Sequence, residues 1–320
     1  MTGGAGAAGA SLPDVGAAAS RLAGWEADLD PAHPERSGLR VLAHGEISAT
    51  LIVPDPLFTS LVAKRMTGFP DEAAVAGYVD LVTGYINTLR AAGVTVVDTA
   101  VVPVPRAART SAVYLLQPQL PADGLGNSLL HTVDDAALTA LIRAVLTQVD
   151  ATFAGGDADT ELAIDAQLSN WWLPTVGDGA TPALIDVGTP FVRVGGVYQM
   201  APRILLSAVP PGVRSWYLWR RTGEQYMDDY FDRRLVGLDL LGNFIKEGAA
   251  ARIPVGLAAV NDWLGADGPI TPAQVSNYYD DDAATLELFL RVRRADRWLR
   301  TRVMRRRYDF ILPGPVRRNG

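Results

Sequence analysis

Cysteine is absent from the 320 residues, so disulfides, thiolate nucleophiles and cysteine-ligated zinc are excluded. Histidine is scarce. His33, His44 and His131 are the full set, and no two stand at the His-x-x-x-His spacing of a helical zinc site. There is no excess of positive charge. The net charge of −6 argues against non-specific nucleic-acid binding as the main role. No apolar run long enough to span a bilayer stands out. The Gly/Ala-rich start lacks the basic n-region and compact apolar core of a secretory signal, so a cytoplasmic location is expected. What is present is ordinary globular material, 48% hydrophobic and 20% charged, in a chain long enough for a large core and two lobes.

Gly4-Ala5-Gly6-Ala7-Ala8-Gly9 matches the dinucleotide fingerprint in letters only. That motif needs a strand before it and a helix after it, and here no strand precedes, so a flexible tail is expected. A leading helix is expected over about residues 11–28. Strands are expected at 39–42 and 50–53, joined by the turn His44-Gly45-Glu46, and a third at 60–64 ends on Lys64. Alternation puts Val62 and Lys64 on one face. Pro70, Asp71 and Glu72 then mark a helix start, with Val75, Val79, Val82, Ile86 and Leu89 at helical spacing and Gly93 after its end. Residues 94–102 and 112–116 read as strands. The prolines of 117–121 mark a connector, and Leu138, Leu141, Ile142, Val145 and Val149 give another helix its apolar stripe.

Two acidic motifs follow. Asp165 is followed five positions later by Asn170, and Asp186-Val187-Gly188 comes after the apolar run 183–185. Taken singly, a lysine at a strand end is a solvated edge residue and an Asp-x-Gly is a turn. The informative feature is the order: lysine, connector, Asp-x-x-x-x-Asn, Asp-x-Gly. Hard oxygen donors of this kind suit magnesium, and a carboxylate beside them suits proton abstraction.

In this order the chain resembles the protein-kinase-like fold, and within it the small-molecule branch typified by aminoglycoside phosphotransferases, over roughly residues 35–200. The resemblance implies an α+β fold of two lobes: a small antiparallel-sheet lobe with one main helix (25–116), a hinge (117–121) and a larger, mostly helical lobe (122–320), after a tail and helix start at 1–24. It implies an ATP- and Mg²⁺-dependent transfer of phosphate to a hydroxyl of a small molecule such as a sugar, nucleoside or antibiotic-like acceptor. Asp165 would be the base, and Asn170 and Asp186 the magnesium ligands. Lys64 would grip the α- and β-phosphates, Gly45 would lie in the covering turn and Val62 against the adenine. Gln117, Gln119 and Leu120 would be the hinge that bonds the adenine edge, and Asp80 the helix acid that pairs with Lys64. The chain departs from the family in having Ala163 two positions before Asp165, where relatives carry His, in its single turn glycine, and in lacking an activation segment after Gly188. These departures point away from a regulated protein kinase, and they keep a catalytically silent nucleotide-binding module as the alternative.

Beyond residue 200 the sequence is rich in charge clusters: 226–234, then Asp239, Asn243, Lys246 and Glu247, then 277–282, then a run of arginines from Arg291 to Arg307. Paired helix faces, acids against arginines, are expected there. If acids line the cleft the acceptor would be amine-bearing, and if arginines do it would be anionic. The arginines also allow a membrane or partner surface.

Overall fold

The computed structural model describes residues 11–45, 47–106, 109–177, 179–200, 204, 227–265 and 268–314. The Gly/Ala tail expected at 1–10 and Glu46 of the first turn lie outside them. The fold is α+β, built on an antiparallel sheet of five strands with helices. Helix α1 (Val15–Asp28) is capped by Asp14, whose carboxylate accepts from Ala17 N at 2.9 Å. The strands are β1 (Arg40–His44), β2 (Ser48–Ile52), β3 (Leu61–Met66), β4 (Ala100–Arg106) and β5 (Arg109–Pro118), in the order β1-β2-β3-β5-β4. Helix α2 (Glu72–Ala91) connects β3 to β4 and begins where expected, with Asp71 accepting from Ala74 N at 2.7 Å.

The period-two alternation of the central strands sorts side chains onto two faces. Leu61 and Ala63 of β3 and Ala112, Tyr114 and Leu116 of β5 pack with Ala18 and Leu22 of α1. Met66 of β3 and Val113 and Leu115 of β5 face the other way, toward Val75, Tyr78, Val82 and Ile86 of α2. Lys64 lies between, on the α2 side with Val62.

Two expected boundaries move. The valine-rich stretch 94–102 is strand only from Ala100 on. Val97 N donates to Leu184 O (3.0 Å) and Leu184 N to Thr95 O (2.8 Å), so this apolar segment docks on the chain that leads to Asp186 and does not extend the sheet. The strand expected to stop at 116 runs on through Pro118, with Val62 opposite Gln117 and Leu61 opposite Pro118. Pro118 is tolerated because it is the last rung of the ladder. Pro103 and Pro105 are tolerated because β4 is the sheet edge.

The helical part follows: α3 (Gly126–Thr132), α4 (Asp135–Ala154), α5 (Arg233–Lys246), α6 (Ile253–Leu264) and α7 (Pro272–Trp298). Helix α4 is long and apolar enough to cross a membrane by length and composition, against the expectation that no such run is present. Its Leu138, Leu141, Ile142, Val145, Leu146 and Val149 are buried in the core. Between α4 and α5 lie short strands: β6 (Thr160–Ala163), β7 (Trp171–Trp172), β8 (Ala183–Leu184), β9 (Phe191–Val194) and β10 (Val197–Tyr198). Residues 309–311 return to the sheet. Ile311 joins the α1-side core, and Arg65 Nη1 donates to Asp309 O at 2.7 Å.

Candidate active site

The antiparallel pair β7–β8 sets the two acidic motifs side by side. Trp171 faces Leu184 and Trp172 faces Ala183, so the chain just before β7 lies against the chain just after β8. Ile185 N donates to Asn170 O at 2.9 Å, and Asp186 is the next residue. Asp165 precedes this by one tight turn, in which Gln167 N donates to its Oδ1 at 2.9 Å.

Lys64 reaches this unit from the sheet. Its Nζ donates to Asp186 Oδ1 at 2.5 Å, an ion pair whose side chains are 18% and 35% exposed. Gly188 N donates to the same oxygen at 3.0 Å. Space at Gly188 is tight: a Cβ there would lie 3.2 Å from Lys64 Nζ and 3.3 Å from its Cε. Burial raises the Asp186 pKa, but the charge and hydrogen bond of Lys64 and the Gly188 N–H outweigh it and hold the carboxyl below its usual range. Asp165 goes the other way. Burial, then the charge of Asp239, then that of Asp186 push it up to about 7, against the Gln167 N–H and Lys246. Asp239 is raised as well, chiefly by burial.

Gln117 joins the same cluster, though not as a backbone hinge. Its Nε2 donates to Ile185 O at 2.8 Å and to Thr99 Oγ1 at 2.9 Å. Gln119 is exposed and its N–H is spent on Ser60 O at 2.8 Å, so it is not free for an adenine edge. Leu120 is partly buried beyond the strand end, and Val62 is partly exposed on the Lys64 face. Gly45 closes the β1–β2 turn, with its N–H on Ser48 O at 3.0 Å. Asp80 is a correction. It is exposed on α2, off the buried face, and the partner of Lys64 is Asp186. Glu72 is no substitute, because its carboxylate accepts from Ser111 N and Oγ, each at 2.9 Å.

The residues that α2 does send to the site are tyrosines. Tyr78 Oη donates to Gly188 O at 2.7 Å, and Tyr85 Oη donates to Ala163 O at 2.6 Å. Seven residues apart on one helix face, they tie α2 to both acidic motifs. Read for its apolar stripe, this helix hid them, since tyrosine fits a core stripe as well as valine does. The charge clusters that the sequence left unplaced, Asp239, Asn243 and Lys246 with Tyr278 from 277–282, form the floor beside Asp165. Gln167 Nε2 donates to Asp239 Oδ2 (2.9 Å), Asn243 Nδ2 and Lys246 Nζ donate to Gln167 Oε1 (3.0 and 3.4 Å), and Tyr278 Oη donates to Asp239 Oδ1 (3.1 Å). Asp239 and Tyr278 line a cavity there together with Asp229 and Tyr230. A signal was available: Lys64 and Lys246 are the only two lysines among 29 basic residues, and both sit at this site.

For a metal, the donor chemistry fits magnesium. One Asp186 oxygen and the Asn170 side chain are in no hydrogen bond among the described residues, and both offer hard oxygen. Among the described residues no group of three or more His, Asp or Glu forms a dedicated metal cage. A magnesium ion here would rely on substrate phosphates and water for its other ligands.

No curated protein matches the sequence. Among solved structures the chain is similar to WaaP in complex with acyl carrier protein, at 15% identity and a TM-score of 0.32, over 76% of this chain and 95% of that one. A TM-score of that size carries no argument about activity. Residues 32–297 match a family described as of unknown function, DUF6206, and the chain belongs to that family.

Proposed function

We propose that the chain is a two-lobed, kinase-like phosphotransferase that moves the γ-phosphate of ATP to a hydroxyl of a small molecule in the cytoplasm. The observation that carries this reading is the Lys64–Asp186 ion pair, which joins residues 122 apart in sequence beside Asn170 and within charge reach of Asp165. On this reading the sheet with α2 is the nucleotide lobe, and Lys64 steadies the phosphates. Asn170 and Asp186 would hold magnesium, which when bound neutralises phosphate charge. The acceptor oxygen attacks the γ-phosphorus, the bond to the bridging oxygen breaks, and ADP leaves. Asp165 accepts the hydroxyl proton, and a carboxyl near pKa 7 is matched to that task. Asp239 acts by charge on Asp165 and lines a cavity with Asp229, and these acids favour an amine-bearing acceptor over an anionic one.

A second reading, a nucleotide-binding module with little catalysis, is favoured by one detail: Lys64 occupies an Asp186 oxygen that a metal could use. Thermal-shift titration with ATP and magnesium tests both readings, and the expected outcome is a rise in melting temperature that saturates. No rise sinks both. Phosphate transfer or slow ATP hydrolysis in wild type and Asp165→Asn then separates them. A drop of about 10²–10⁴ in the variant supports the base, and equal rates leave only the binding module.

A further inference from the structure

The arginine-rich end of α7 takes no part in the site at Asp165. The helix continues as one wide π turn, Leu299–Val303, and Arg305 then sits at φ 52°, in the left-handed region uncommon for a residue with a side chain. From Arg297 to Arg307 the sequence has six arginines and no acid. With the whole chain at −6, everything outside this segment carries −12. Asp296 holds Arg300 at 2.9 Å and Asp309 holds Arg307 at 3.1 Å. Arg297, Arg302, Arg305 and Arg306 have no side-chain partner among the described residues.

Apolar side chains stand among these arginines. Ten large apolar residues are exposed in the described chain, and four fall between 298 and 304: Trp298 (62%), Leu299 (40%), Val303 (59%) and Met304 (53%). Single exposed apolar residues need no explanation, but a cluster rimmed by charge marks a contact surface.

We propose that residues 297–307 dock on an anionic lipid bilayer. Tryptophan favours the level of the headgroups, valine, leucine and methionine enter the acyl boundary, and arginine pairs with lipid phosphate. The local charge complements an anionic surface, although the remainder of the protein is repelled by one. A nucleic acid or acidic protein would account for the arginines and leave Val303 and Met304 in water. A second copy in a two-fold contact would set six positive charges against six. Tyr278, which touches Asp239, is twenty residues upstream of Trp298 on the same helix, about 30 Å away. The docking surface is therefore separate from the candidate active site and does not depend on that site's chemistry.

The test is co-sedimentation of the full chain with vesicles of phosphatidylcholine mixed with phosphatidylglycerol, against vesicles of phosphatidylcholine alone. Binding to the mixed vesicles only, weakening as salt rises, is expected. Arg302→Gln/Arg305→Gln/Arg306→Gln lowers partitioning on the order of a hundredfold. Trp298→Ala lowers it about tenfold. These positions are exposed, so unchanged melting temperatures in the variants separate lost docking from lost folding. Equal binding to both vesicle types, no binding to either, or undiminished binding by the triple variant overturns the proposal. So does a wild-type dimer that the variants dissociate in sedimentation velocity, which assigns the patch to a second copy.

Discussion

Lys64 and Arg65 are neighbours on one strand, and they face opposite sides of the sheet. Each meets a carboxylate from a distant part of the chain, and the two pairs are built for different ends. On the α1 side, Arg65 Nε and Nη2 grip both oxygens of Glu26 at 2.6 and 3.1 Å, Tyr114 Oη adds a bond at 2.9 Å, and the two side chains are 2% and 1% exposed. All three Arg65 nitrogens and both Glu26 oxygens are engaged, Arg65 reaching on to Asp309 O, and Arg106 Nη1 adds a charge 3.9 Å from Glu26 Oε2. On the α2 side the Lys64–Asp186 pair is part-open, has one carboxylate oxygen unengaged among the described residues, and lies beside a second carboxylate titrating near 7. A closed, saturated pair holds a fold together, whereas an open, unsaturated one leaves room for a ligand.

The largest expected effect falls on the closed pair. Glu26→Ala takes from the buried Arg65 and Arg106 guanidiniums the carboxylate they share and is expected to cost about 3–5 kcal/mol in urea or thermal unfolding. Lys64→Ala, one residue along, is expected to cost about 1 kcal/mol or less, because the Asp186 it leaves is partly solvated. If the two costs are equal, the division between structural and functional faces fails. The pH dependence sharpens the same contrast. Burial raises the Glu26 pKa, but Arg65 and its hydrogen bonds prevail and lower it. The stability it contributes is present above its unfolded pKa and is lost as pH falls through its folded one.

Asp165 reverses that sign. Its folded pKa is raised to about 7, so its contribution is present below the unfolded value and lost as pH rises through 7. Asp165→Asn removes a charge that the fold disfavours. It is expected to raise the melting temperature at pH 8 by about 2–4 °C while leaving it unchanged at pH 4. A lower melting temperature at pH 8 would show that the carboxylate is structurally required. In the active protein the rate is expected to climb from pH 6 to pH 8 as this group deprotonates.

The sequence made the open pair far easier to read than the closed one. Lys64, Asp165, Asn170 and Asp186 follow one another in a recognisable order, and the hydrophobic alternation of β3 and β5 gave the sheet its faces. Glu26 and Arg65 follow no motif. Glu26 lies within a helix whose other buried residues are apolar, and only the tertiary fold pairs residues 39 apart. Asp80 was misread for a related reason: separation along the chain suggested it, and helical geometry had already turned it away from the Val75–Val82 stripe. The strand end at Pro118 shows that proline excludes a residue from the middle of a ladder and not from its last rung.

The finest contrast belongs to the tyrosines that flank each pair. Tyr78→Phe removes one hydrogen bond to Gly188 O and leaves a buried carbonyl without its donor, at a cost of about 1 kcal/mol. Tyr114→Phe removes one bond to the charged Glu26 and is expected to cost somewhat more, about 1.5–3 kcal/mol. Their functional consequences should differ in the opposite direction. Gly188 crowds the end of Lys64 and its N–H bonds Asp186, so loosening its carbonyl lets the 186–188 turn shift under the ion pair. Nucleotide affinity, read from the ATP–magnesium thermal shift, is therefore expected to fall several-fold in Tyr78→Phe and to be unchanged in Tyr114→Phe, despite the greater instability of the latter. Equal loss of nucleotide response in both variants would mean that the response follows overall stability. Tyr78 would then be packing and not a positioning residue for the Asp186 turn.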